Sequence, residues 1–112
     1  MTDRRALLRD YKDRQVQAGI YAVRCLVTGE AWIGGTADLA TRQSGVWFSL
    51  RMGGHSSASL QAAWKTHGEA AFGFDVLEVL DDEGLERLGR ASLLVERREH
   101  WRVKLGAEGL RR

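Results

Sequence analysis

The alternation of apolar and polar residues predicts three short strands. Residues 20–27 and 31–33 are rich in β-branched and apolar side chains, and a glycine-containing turn at 28–30 separates them. This arrangement predicts a β-hairpin. A period of two, which is typical of a half-buried strand, recurs later at Phe72, Phe74, Val76 and Val79. The pattern therefore predicts a small, mainly antiparallel sheet of three strands.

Helical periodicity predicts helices in the segments before, between and after these strands. Residues 3–15 place Leu7, Leu8 and Tyr11 at helical spacing among charged residues, which predicts a short N-terminal helix. A second helix is expected from the capping residues at 36–38 to about Met52, before a glycine pair. The third begins after Ser56 or Ser57 and ends at Gly68.

The last helix is predicted from Asp82 to about Leu105. Its apolar residues form one stripe on a helical projection, and they are Leu88, Ala91, Leu94, Val95, Trp101 and Leu105. The fold class that follows is α+β, a three-stranded sheet flanked by helices. We expect residues 1–18 to be a helical extension and residues 19–112 to be the domain itself, in a chain that is one domain overall.

Composition and length narrow the classes of protein that fit. The chain has 112 residues, 44% hydrophobic and 29% charged, which is ordinary for one globular domain. Its apolar runs are too short for a membrane helix of about 20 residues, and the charged N-terminus is unlike a signal peptide. Cys25 is the one cysteine, so an internal disulfide and a cysteine zinc cluster are excluded. A reducing cytoplasm is the expected compartment.

Charge is distributed unevenly along the chain. Residues 1–24 carry six basic and three acidic side chains, and residues 75–86 carry six acidic side chains and no basic one, although the formal net charge is only +2. An acidic side and a basic side of the molecule would follow. Solvated helix faces explain the same pattern equally well.

A series of short motifs suggests a chemistry. Gly-Ile-Tyr at 19–21 and Trp-Ile-Gly at 32–34 lie on the two hairpin strands, and Arg42 follows Gly34 by eight residues. Gly-His-Ser-Ser at 54–57 comes next, and after it Leu60, Gln61, Trp64, the segment 65–69, Phe72, Phe74 and the segment 76–78. This order resembles the GIY-YIG endonucleases, in particular the nuclease domains of phage intron-homing members, over roughly residues 19–105.

The resemblance implies hydrolysis of phosphodiester bonds in DNA with one divalent ion, Mg²⁺ or Mn²⁺. It implies a catalytic set of Tyr21, Trp32, Arg42 and His55, in which Arg42 also binds DNA. The chemistry agrees with these residue types, because a guanidinium binds phosphate oxygens bidentately and a phenol or imidazole can handle a proton. The partner expected is DNA, with no membrane association, and the oligomeric state stays open between a monomer and a weak dimer.

The expected metal ligand is displaced in this sequence. Many family members carry it three residues before a tryptophan, and counting back from Trp101 reaches Arg98. Glu99 falls at the edge of the predicted stripe, about 100° from its centre, while Glu96 points away. Glu99 is therefore the predicted metal ligand and Arg98 a predicted DNA contact, unless the metal site is lost and Arg98 occupies it.

Two further departures keep other functions open. Trp32 stands where the family usually has tyrosine, and an indole N–H donates a hydrogen bond but cannot accept a proton. The sequence has no asparagine, whereas the family often has one after the last helix. The alternatives are a DNA-binding module of the same fold that does not cut, and a protein-interaction domain.

Overall fold

Strands and helices follow one another along the chain in the computed structural model, which describes residues 16–81 and 84–110. The predicted N-terminal helix at 3–15 lies outside the described residues. The elements are β1 (Gly19–Cys25), β2 (Ala31–Thr36), α1 (Leu39–Arg51), α2 (Ala58–His67), a 3₁₀ helix (Glu69–Ala71), β3 (Phe72–Val79), α3 (Arg87–Leu105) and β4 (Glu108–Gly109).

The sheet is mixed and has the order β3-β1-β2-β4. Strand β1 pairs antiparallel with both β2 and β3, as the sequence predicts for three strands. The fourth strand corrects that prediction, because β4 pairs in parallel with β2, placing Glu108 opposite Trp32. It is only two residues long and follows the left-handed helix cap at Gly106, so it leaves no periodic signal in the sequence.

Alternation along the strands divides the core into two layers. Tyr21, Trp32 and their neighbours pack against α1 and α2 on one side, which we call the Tyr21 face. Ile20 and Ile33 pack against α3 on the other side, the Ile20 face. The strands are buried on both sides, which explains why β1 is apolar at almost every position.

The rotation of α3 differs from the predicted stripe. The residues that face the sheet are Leu93, Leu94 and Trp101, whereas Leu88 and Val95 are 81% and 51% exposed. Consecutive apolar residues at 93–95 fit two helical phases equally well. Tertiary contacts choose between them, because the Trp101 indole N–H and the Arg97 Nε each donate to Glu78 Oε1 at 2.9 Å.

Acidic residues of β3 pair with basic residues from other elements. Asp75 meets Arg24 at 2.6 Å and Glu78 meets Arg97 at 2.9 Å. Arg24 and Arg97 thus neutralise two of the carboxylates in the acidic segment 75–86. No helix within 16–81 and 84–110 is both long enough and apolar enough to span a membrane.

Candidate functional site

Tyr21 lies at the centre of the Tyr21 face, with its side chain fully buried. Its ring stacks on Phe74 with centroids 5.0 Å apart, and it crosses directly over Gly34. A Cβ at position 34 would lie 2.4 Å from the Tyr21 Cζ and hydroxyl oxygen. The glycine that ends the second triplet is therefore required by the tyrosine that ends the first, a contact between paired residues of neighbouring strands.

Arg42 lies at the hydroxyl end of this tyrosine. It lies in the first turns of α1, whose start is fixed by the Asp38 carboxylate accepting from the Ala40 N–H. The Arg42 Nε donates to the Tyr21 hydroxyl at 3.1 Å. Within the described residues Arg42 forms no salt bridge with a carboxylate, so its remaining N–H groups are available to an anion.

His55 joins Arg42 from the loop between α1 and α2. The two side chains line one cavity of about 260 Å³. The loop is held by Gln61, whose carbonyl accepts from the His55 N–H at 3.1 Å and whose amide donates to the Leu50 carbonyl at 3.0 Å. A strand, a helix and a loop thus contribute Tyr21, Arg42 and His55, and Arg42 is bonded to Tyr21 and shares a cavity with His55.

The hydrogen bonds of His55 define which ring nitrogen can act. The Ser57 N–H donates to His55 Nδ1 at 3.0 Å, so the proton of the neutral ring is on Nε2. Burial lowers the pKa of His55, and the positive charge of Arg42 lowers it further. At pH 7 the imidazole is therefore neutral, and its Nε2–H is a donor to an oxygen in the cavity.

This arrangement predicts a measurable titration. We expect His55 to titrate below its ordinary pKa of 6.5, and Arg42→Ala to raise that pKa because a neighbouring positive charge is removed. Proton-detected NMR of the imidazole across a pH series measures both. Arg51→Ala is the control, since Arg51 lies on the same helix but pairs with Glu69. A His55 pKa at or above 6.5 in the wild type would contradict the prediction.

Trp32, which is the other residue of the predicted catalytic set, lies on the Tyr21 face but hydrogen-bonds to Ser59 and not to Arg42 or His55. Its buried indole N–H donates to Ser59 Oγ at 2.9 Å. The Ser59 hydroxyl in turn contacts the Glu108 carboxylate closely. Trp32 therefore belongs to a polar chain with Ser59 and Glu108, and among the described residues Trp32 itself has no hydrogen bond to Arg42 or His55. The chain meets the loop of His55 at Ser57, whose hydroxyl lies 3.2 Å from Ser59 Oγ and whose N–H donates to His55 Nδ1.

The structure does not bring Glu99 and Arg98 to this cluster. Glu99 lies on α3, where its carboxylate accepts from Arg102 Nε at 2.9 Å. Its Oε1 is 4.0 Å from where a Cβ on Gly109 would lie, and Gly109 pairs with Ile33, so this carboxylate is on the Ile20 face. Arg98 donates to the Leu110 carbonyl at 2.7 Å. Among the described residues neither side chain forms a hydrogen bond or salt bridge with Tyr21, Arg42 or His55, so the roles assigned to Glu99 and Arg98 stay predictions.

The donor set at Glu99 does not suit a cation. Arg102 and Arg98 flank its carboxylate, with Arg98 Nη2 at 3.9 Å, and two guanidinium groups oppose binding of a further positive charge. In the part of the chain that the structure describes, no three His, Cys, Asp or Glu side chains cluster around a potential metal position. A divalent ion, if one binds, needs oxygens from water or substrate as well.

Sequence reasoning missed Ser59 and Glu108 as neighbours of the site. Ser59 lies between two parts of the motif series, the segment 54–57 and Leu60. Glu108 had no local signal, since its position depends on the pairing of β4 with β2. Glu108 also lines a second cavity of about 500 Å³ with residues 56–59, and Ser56 borders both cavities.

Two solved structures share this fold. A mutant of the catalytic domain of intron endonuclease I-TevI is 27% identical, over 80% of this chain and 84% of that chain, with a TM-score of 0.68. The catalytic domain of homing endonuclease I-TevI is 23% identical, over 85% and 99%, with a TM-score of 0.69. This is the GIY-YIG catalytic-domain fold.

The match confirms the resemblance that the two triplets suggest. It also confirms the α+β class, with the correction that the GIY-YIG sheet here has four strands and is mixed. No protein-family model and no curated protein matches the chain. The likeness is therefore carried by the three-dimensional structure and by the short motifs, and the roles of individual residues stay predictions.

Proposed function

We propose that this chain is a GIY-YIG-type endonuclease that hydrolyses phosphodiester bonds in DNA. The observation that carries the proposal is the hydrogen bond from Arg42 to the Tyr21 hydroxyl, beside a cavity shared with His55. A guanidinium and an imidazole thus line one cavity, and a buried phenol from a third element is bonded to the guanidinium. The similarity to the I-TevI catalytic domain at 27% identity supports the same conclusion.

Each side chain has a distinct part in this proposal. Arg42 binds non-bridging phosphate oxygens through its free N–H groups and stabilises the charge that spreads over them in the transition state. His55 donates from Nε2 to a phosphate or leaving-group oxygen, since its Nδ1 is engaged by the Ser57 N–H. Tyr21 contributes its phenol hydroxyl to handle a proton, and the hydrogen bond from Arg42 orients this hydroxyl.

We further propose that one divalent ion, Mg²⁺ or Mn²⁺, takes part. When bound, such an ion neutralises charge on the attacking or leaving oxygen. Magnesium commonly binds through one or two carboxylates together with water and substrate phosphate, so the absence of a three-ligand cluster among the described residues is compatible with this. Glu99 is a poor candidate for that carboxylate because two arginines flank it.

The proposed partner is DNA, bound mainly through phosphates, and the proposed compartment is the cytoplasm, where a buried free Cys25 stays reduced. Binding through phosphates makes affinity depend steeply on salt and little on sequence. The slope of log K against log salt is about −0.9 for each phosphate neutralised.

Two measurements on the whole chain test this function. We expect conversion of supercoiled plasmid to nicked circles with Mg²⁺ or Mn²⁺, and none in EDTA. We also expect filter binding of unrelated duplexes in EDTA to weaken together as salt rises. An absence of DNA binding at low salt would refute the proposal, whatever the result of the nicking assay.

A DNA-binding module that does not cut is the second candidate. The observation that favours it is the pairing of Glu99 with Arg102 on the Ile20 face, which leaves the sequence-predicted metal ligand away from Tyr21 and Arg42. Salt-dependent DNA binding without nicking by any divalent metal is the outcome that would select this function.

A further inference from the structure

We propose that Glu108, and not Glu99, is the carboxylate that holds the divalent ion of this site, an inference that rests on the proposed function. Glu108 pairs with Trp32 in the parallel register of β4 and β2. Residues paired across neighbouring strands project to the same side of a sheet, so Glu108 is on the Tyr21 face. Gly109, the next residue, turns toward Glu99 on the other face.

Two serines orient the Glu108 carboxylate. Its Oε2 is in close contact with Ser59 Oγ and lies 3.4 Å from Ser57 Oγ, while the two hydroxyls lie 3.2 Å from each other. Among the described residues no hydrogen bond or salt bridge occupies Oε1. One oxygen is therefore fixed by the protein and the other is open to a ligand, as expected of a carboxylate that takes an external cation.

Trp32 contributes to this orientation from the substituted position of the second triplet. Its indole N–H donates to Ser59 Oγ, so the Ser59 hydroxyl proton is directed to Glu108 rather than back to the tryptophan. An indole can only donate, which makes the direction of this chain unambiguous. The tryptophan that departs from the family pattern thus supports a carboxylate that the pattern does not contain.

The position of Glu108 also suits an ion that is shared with a phosphate. Glu108 lines the 500 Å³ cavity with residues 56–59, and Ser56 separates it from the cavity of Arg42 and His55. A phosphate held by Arg42 would lie in the cavity next to the one that Glu108 lines. One carboxylate, phosphate oxygens and water make up the coordination that Mg²⁺ favours.

Substoichiometric Mn²⁺ and the tryptophan indole signals in a ¹H–¹⁵N NMR spectrum test this assignment without any activity. Paramagnetic Mn²⁺ broadens signals of protons near it. The indole N–H of Trp32 is bonded to Ser59 next to Glu108, whereas that of Trp101 is bonded to Glu78 on the Ile20 face. We expect Mn²⁺ to broaden the Trp32 signal selectively, and Trp32→Phe and Trp101→Phe assign the two signals.

Matched variants locate the ligand. We expect Glu108→Gln to abolish the broadening of Trp32, Glu99→Gln to leave it unchanged, and Ser59→Ala to weaken the apparent Mn²⁺ affinity by about tenfold or more, because it frees the carboxylate. Glu108 and Glu99 are both surface residues, and far-ultraviolet circular dichroism checks that each variant is folded.

Three outcomes would overturn the proposal. They are selective broadening of Trp101, loss of the effect in Glu99→Gln, and undiminished broadening of Trp32 in Glu108→Gln. The proposed function is tested separately, because DNA binding is measured in EDTA and does not depend on the metal. A chain that binds Mn²⁺ at Glu108 but no DNA would refute the nuclease and keep this assignment.

Discussion

Arg42→Ala is expected to lower the rate of DNA nicking by about 10²–10³-fold, the usual loss when one donor to transition-state charge is removed. The guanidinium is half-buried, has no carboxylate partner among the described residues, and bonds the Tyr21 hydroxyl. Its removal takes away the proposed phosphate ligand and also the hydrogen-bond partner of the Tyr21 hydroxyl. Single-turnover nicking of supercoiled plasmid measures the effect on the chemical step.

Arg51→Ala is the matched control for this prediction. Arg51 lies in the last turn of α1, is exposed, and pairs with Glu69 at 2.7 Å, so its loss should leave nicking within about twofold and stability within about 0.5 kcal/mol. Arg42→Lys separates charge from geometry, because lysine keeps the charge but offers no planar fork. Equal nicking by wild type and Arg42→Ala would remove Arg42 from the site.

Gly34→Ala is expected to destabilise the fold by about 1–3 kcal/mol and to displace Tyr21. The new Cβ would lie 2.4 Å from the Tyr21 ring, and the ring cannot retreat because Phe74 stacks on its other side. Movement of the ring also breaks its bond with Arg42. Urea denaturation measures the free energy of unfolding, and the same variant should lose nicking activity at temperatures where it stays folded.

Gly45→Ala is the opposite case in the same domain. Gly45 lies inside α1, and nothing lies within 4 Å of a Cβ built there. Alanine at a helix interior is favoured over glycine by about 1 kcal/mol, so this variant should be more stable than the wild type. A Gly34→Ala protein as stable as the wild type, with nicking retained, would show that the tyrosine is not held as described.

Much of the fold follows from local signals in the sequence. The hairpin, the strand Phe72–Val79 and the two central helices have apolar periods, glycine stops and caps that act over a few residues, and the structure places all of them within a few positions of the prediction. Tyr21, Arg42 and His55 could be chosen because the triplets and the glycine-histidine-serine segment keep a fixed order along the chain.

Local signals could not predict the rotation of α3 about its axis or the face of the sheet on which Glu99 and Glu108 lie. Leu93, Leu94 and Val95 offer two apolar phases, and the bonds from Trp101 and Arg97 to Glu78 select one. That choice separates Glu99 from the site, although it lies one residue from the expected position. Local periodicity could not decide the phase, because the deciding partner, Glu78, lies on β3 and not on the helix itself.

The sequence by itself determined the class of fold, the two triplets on paired strands and a candidate set of phosphate-binding groups, because each depends on residues close together or on a fixed motif order. Only the tertiary structure decided that a carboxylate accompanies them from β4. Strand pairing of two residues leaves no period to detect, and the side of the sheet on which Glu108 lies is set by its register with Trp32.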